Sequence, residues 1–180
     1  MLVAVFSLLA LTAHGAAFLH WKTDGLVQLR ARLSATVLFF VVAVLWPVVT
    51  YATHAVHPEF FSGFVSRPLA WIAAFVAVAG LSTACLSMLR GRELAAFLGS
   101  AAFLAGLLGA TAAGLFPVLL RSVGDPRASL TAYDAANDEM GLRTALGWLA
   151  IGLPLALLYV AILFRIHRGK VVGATGRDGY

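Results

Sequence analysis

Three histidines of this chain stand in patterns that could bind something. His14 lies inside an apolar run beside Gly15. An imidazole at bilayer depth can ligate haem iron, join a proton relay or hydrogen-bond a quinone. It can equally bond a neighbouring helix and serve packing alone. No second histidine lies well inside an apolar run to complete a bis-histidine pair, so the packing role is preferred. His54 and His57 occupy "HAVHPE", with Glu59 close behind. Their i, i+3 spacing can set both imidazoles on one side of a helical turn, as a metal would require. Pro58 argues against regular helix beyond His57, and neither a cysteine nor a second acid is near. An interfacial, solvated pair is the expectation there. Cys85 is the lone cysteine, so there is no disulfide framework; it reads as a small buried apolar residue. The chain carries no nucleotide-binding loop, cysteine pair or nucleophile–base–acid set.

The elements that hold these residues follow from composition. The 180 residues are 61% hydrophobic and 12% charged, with a mean hydropathy of +0.92. Soluble domains hold about 25% charged residues, and a water-soluble core of this size could not hide so much apolar surface. The chain therefore reads as a membrane protein. Five runs, Met1–Leu19, Leu33–Tyr51, Leu69–Leu89, Leu94–Leu120 and Leu142–Phe164, approach or exceed the roughly 20 apolar residues a spanning helix needs. Apart from Arg143 at the rim of the fifth, they contain no Asp, Glu, Lys or Arg, as the cost of charge in hydrocarbon requires. Alternating strands of about ten residues are absent, which argues against a barrel. The expected fold is an all-α, polytopic transmembrane helix bundle with about five spans over residues 1–165, followed by a basic tail at 166–180. The first run could instead be a secretory signal ending at "TAHGAA"; no Lys or Arg precedes Lys22, so the span reading is preferred.

Basic residues set the expected orientation. Lys22, Arg30, Arg32, Arg90, Arg92, Arg165, Arg168, Lys170 and Arg177 fall on one side, and Arg67, Arg121, Arg127 and Arg143 on the other. The richer side is cytoplasmic on this rule, with the C-terminus inside and the N-terminus outside. The net charge of +5 is then a topology signal, and no nucleic-acid partner is expected.

Small residues suggest how the spans meet. Gly106, Ala110 and Gly114 recur at four-residue spacing in the fourth run, a stripe that lets backbones approach. Ala73 with Ala77, and Gly80 with Ala84, offer similar spacing in the third run. Only "RGRE" joins the two, so a tight antiparallel hairpin is expected. Pro154 should kink the fifth span.

One polar segment breaks the apolar pattern between Gly114 and Arg143. It holds Asp125, Asp134, Asp138 and Glu139, four of the eight acidic residues. Asp125-Pro126 initiates a turn. Ser129 is a candidate N-cap for a short helix with Leu130, Tyr133 and Met140 on one face. Asn137 or Asp138 can cap the last span, with Glu139 near its positive end.

That segment, "LFPVLLRSVGDPRASLTAYDAA", resembles the C-terminal loop of subunit II of cytochrome bd quinol oxidases, which places an Asp-Pro-x-x-Ser-Leu-Thr element between its last two helices. The matching residues are Asp125, Pro126, Ser129, Leu130 and Thr131. "HGAAFLHWKTDGLVQLRAR" resembles the family's cytoplasmic connection through His14, Gly15, Lys22, Gly25, Arg30 and Arg32. "FRIHRGKV" resembles its C-terminal signature through Arg165, Arg168, Gly169, Lys170 and Val171. The chain departs from the pattern at Asp134, where the family often has Asn, at His167, where an aromatic is usual, and in the acidic "NDEMG".

The resemblance implies the last five of eight helices of a bacterial or archaeal cytoplasmic-membrane subunit. It implies a non-catalytic scaffold that supports assembly and haem placement in a larger subunit I of a quinol:dioxygen oxidoreductase. Haems b and d and the quinol, drawn from the quinone pool, belong on this reading to the larger subunit, and this chain binds no cofactor itself. Asp125 to Thr131 would be its subunit contact. The family's early-helix acidic residues have no counterpart here. Two alternatives remain: a stand-alone small-molecule transporter fragment, disfavoured by spans without charge, and a structural membrane protein that binds lipid or quinone.

Overall fold

A computed structural model of the chain describes residues 1–122, 124–125 and 128–171. Pro126, Arg127 and Arg177, singled out above, lie outside the described residues. The elements in order are α1 (Leu2–Lys22), α2 (Gly25–Val56), α3 (Pro58–Val65), α4 (Pro68–Leu89), α5 (Glu93–Leu115), β1 (Val118–Leu120), β2 (Leu130–Thr131) and α6 (Glu139–Ile166). Five of the helices, all but α3, are long and apolar enough to cross a membrane. The fold is an all-α polytopic bundle. The described residues fall into two compact units, Met1–Leu115 with the tail from Lys170, and Phe116–Gly169.

In the first unit each long helix buries a stripe of mostly small side chains. On α1 the buried positions are Phe6, Ala10, Ala13, Ala17 and His20, alternating four and three residues apart. On α4 they include Ala70, Ala77, Gly80 and Ala84, and on α5 Ala96, Gly99, Phe103 and Gly106. Lipid tails are as apolar as leucine, so burial of grease does not drive helices together here; close backbone approach does. The α4–α5 pair is the tightest. A methyl added at Gly106 would lie 2.4 Å from the backbone nitrogen of Ala77, and one at Gly80 would lie 2.4 Å from that of Phe103. The three-residue link closes as a Schellman turn. Arg92 N–H donates to the Ser87 carbonyl (2.9 Å), Gly91 N–H reaches Met88 O, and Gly91 takes the left-handed conformation with φ 67°.

Helix α2 has 32 residues, about 48 Å at 1.5 Å per residue, longer than a hydrocarbon core of about 30 Å. Its first turns, with Arg30 and Arg32, can therefore stand in the headgroup layer. Asp24 begins it by accepting a hydrogen bond from Gly25 N–H at 2.8 Å.

Beyond the greater length of α2, three local expectations of the sequence reading differ from the structure. The fourth span ends at Leu115, not Leu120. Pro117 has no amide hydrogen and disfavours helix at Phe116, so the apolar residues after it pair as a strand instead. Beyond His57 a second helix begins: Pro58 breaks α2 and then serves as the first residue of α3. The short helix expected from Ser129 is absent, and Leu130–Thr131 forms β2, antiparallel to β1.

Candidate functional site

The hairpin of the second unit is built by side chains acting on backbone. Ser129 does not cap a helix. Its Oγ accepts from Ser122 N–H at 3.1 Å across the loop mouth, and Ala128 N–H bonds the Asp125 carbonyl at 3.0 Å. Thr131 is tied on two sides. Val118 is its partner in the ladder, while the Asp134 carboxylate accepts from both its N–H (3.3 Å) and its hydroxyl. The β-branched Thr131, held extended in this way, explains why strand wins over helix at this point. Ala132 N–H donates to the Pro117 carbonyl at 2.6 Å, and the Phe116 and Tyr133 rings meet edge to face at 5.8 Å. Asp138 then starts α6, its carboxylate accepting from Gly141 N–H at 3.2 Å. Leu130 remains 41% exposed, so the loop presents an apolar side chain on a hydrogen-bonded frame.

His14 joins α1 to α5. Its Nδ1 stands 2.7 Å from Ser100 Oγ, and Ser100 Oγ stands 2.7 Å from the Phe97 carbonyl. A carbonyl only accepts, so the serine proton goes to Phe97 and the imidazole N–H donates to the serine. The ring stacks on Phe97 at 4.9 Å, and Phe97 stacks in turn on Trp21 at 5.4 Å.

His20 was placed outside the spans by the sequence reading, yet it is 4% exposed, and its Nδ1 has no hydrogen-bond partner among the described residues. It borders a polar knot the sequence reading missed. Gln28 donates to the His20 carbonyl at 3.4 Å and to Glu93 Oε1 at 2.6 Å, and Lys170 pairs with the same carboxylate oxygen at 2.7 Å. Val171 N–H bonds the Lys22 carbonyl at 2.7 Å, so the tail residues Lys170 and Val171 strap the ends of α1, α2 and α5 together. The available signal was the apolar stripe on α1, which His20 continues by one step. The partners lie 8 and 65 residues apart in the chain, a pairing that no local pattern encodes.

The two α1 histidines do not face one point. His14 and His20 lie six residues apart on one helix, about 120° apart around its axis, so they cannot clamp one iron. His54 lies in the last turn of α2 with its ring edge-on to Phe61 at 5.0 Å, while His57 sits in the break between helices. His57 N–H closes the last turn of α2 on the Thr53 carbonyl at 2.8 Å, while its own φ and ψ leave the helical region. Among the described residues no group of three His, Cys, Asp or Glu could hold a metal.

Gly106 seats against α4, as its distance to Ala77 shows. Gly114 instead faces Phe60 of α3, whose ring would lie 2.5 Å from an added methyl; Ala110 between them is half-buried. Gly80 and Gly99, opposite each other, complete the notch that the Gly106 stripe only began.

Fold and site define the class first: a multi-pass helical membrane protein whose polar side chains join helices. The family is then shown by comparison, since the sequence model described as "Cytochrome bd terminal oxidase subunit II" matches residues 1–167. The chain belongs to that family. It is also 30% identical, over 185 aligned positions, to a protein of Haemophilus influenzae named "Probable cytochrome oxidase subunit 2", covering 88% of this chain and 49% of the relative. The chain thus spans about half the length of the curated relative it matches.

Proposed function

We propose that the chain is a non-catalytic subunit of a bd-type quinol:dioxygen oxidoreductase in a bacterial cytoplasmic membrane, with its C-terminus on the cytoplasmic side. The observation that carries this reading is the family match along residues 1–167. In support, the polar groups described above are spent on packing, capping and strapping, which suits a scaffold. The haems and the quinol chemistry belong on this reading to a larger partner subunit. The family's loop element, from Asp125 to Thr131, docks on that partner's outer face, with exposed Leu130 supplying apolar contact and the hydrogen-bonded frame holding it in place.

The test is copurification. The tagged chain, extracted in mild detergent, should bring down a larger haem-bearing polypeptide, with a Soret band in the eluate. Leu130→Asp should lower the yield of that complex several-fold while the chain still inserts in the membrane. Recovery of the chain free of any haem protein, with quinol oxidase activity intact in membranes lacking it, would sink the proposal.

A further inference from the structure

A groove of about 520 Å³ opens on the rim where α1 ends and α5 begins, lined by Trp21, Leu94, Ala95 and Leu98, with Gly91, Arg92 and Glu93 at its mouth. Leu94 and Leu98 are 47% and 55% exposed on a helix apolar enough to cross a membrane, so the floor of the groove lies along the hydrocarbon. Arg92 lines the mouth, and Lys22 flanks it on the ring of Trp21. Arg92 is exposed, with no ion pair among the described residues, and Lys22 holds its Nζ 4.3 Å from the centre of the Trp21 ring. The one acid present, Glu93, is bonded to Lys170 and Gln28, which offsets its charge. A second groove of the same volume, lined by Trp46, Pro47, Thr50, Tyr51, His54 and Phe61, has no lysine or arginine in its wall.

We propose that the Trp21–Leu98 groove is a binding site for an anionic phospholipid: one acyl chain lies along Leu94 and Leu98, and the headgroup phosphate sits between Arg92 and Lys22. An apolar floor at chain depth and these two basic side chains at headgroup level match both halves of such a molecule. The second groove matches the chain alone, so it takes lipid without regard to charge.

Brominated acyl chains quench tryptophan on contact, and the two grooves each carry one. In full-length chains retaining only Trp21 or only Trp46, brominated phosphatidylglycerol should quench Trp21 at a lower lipid fraction than brominated phosphatidylcholine, and quench Trp46 equally with both. Arg92→Gln should cut the Trp21 preference about fivefold, as should Lys22→Gln, since a basic group at the surface contributes about that factor. Inorganic phosphate, which lacks the chain, should not compete. The wild-type chain in native mass spectrometry should retain phosphatidylglycerol that Arg92→Gln loses, a readout independent of tryptophan replacement. Equal quenching of Trp21 by the two lipids, or a preference that survives both substitutions, overturns the proposal.

Discussion

Helices α5 and α6 are built from nearly the same vocabulary and end in different circumstances. Each is long and apolar enough to span a bilayer, and the most apolar stretch of α6 exceeds that of α5 in hydropathy. A third of the most apolar stretch of α5 is buried, and none of that of α6. Their glycines explain the contrast. Gly99 and Gly106 sit where an added methyl would strike the backbone of α4, whereas Gly147 and Gly152 of α6 meet nothing within 4 Å among the described residues of their own unit. Hydropathy therefore reports whether a segment enters the membrane. Backbone-to-backbone approach at small residues reports whether it then packs within its unit.

The comparison can be broken at its largest effect by exchanging glycine for leucine. Gly106→Leu should destabilise the first unit by about 3 kcal/mol or more, because an overpacked helix contact has no flexible neighbour to yield. Gly152→Leu should stay within about 0.5 kcal/mol of wild type, as an exposed helical position does. Reversible unfolding in mixed micelles measures both, and equal losses would erase the distinction. A middle-sized effect belongs to α6, whose start rests on a local cap. Asp138→Ala should cost about 1 kcal/mol, read as faster amide exchange at Gly141 and Leu142, with α5 unaffected. The smallest sharpens the packed side. A double-mutant cycle of His14→Ala and Ser100→Ala should give a coupling of about 0.6 kcal/mol, typical of an interhelical hydrogen bond in a membrane protein. A coupling near zero would mean that aromatic stacking, not the hydrogen bond, joins α1 to α5.

Much of the architecture is legible in the amino-acid sequence. Apolar runs marked all five long helices, because hydrocarbon excludes charge over a fixed thickness. The turn between α4 and α5, and the cap at Asp138, could be read as well, since both depend on residues within a few positions of one another. Boundaries failed where two local rules competed. The run to Leu120 looked like one span, but Pro117 ended the helix and freed Val118–Leu120 to pair. Ser129 looked like a cap, yet the Thr131 and Asp134 side chains favoured an extended strand followed by a turn.

What the sequence determined by itself is insertion: how many segments span, where the polar loop lies, and which ends carry the basic residues. These depend on transfer of single segments from water to lipid, a property of each segment alone. Only the tertiary structure decided that His14 bonds Ser100, that Glu93 gathers Gln28 and Lys170, and that Trp21 and Leu98 flank one groove with Arg92 at its mouth. Those pairings join residues 65 to 86 positions apart. They depend on the distance between helix axes, and hence on which glycines meet which backbones once the spans have assembled.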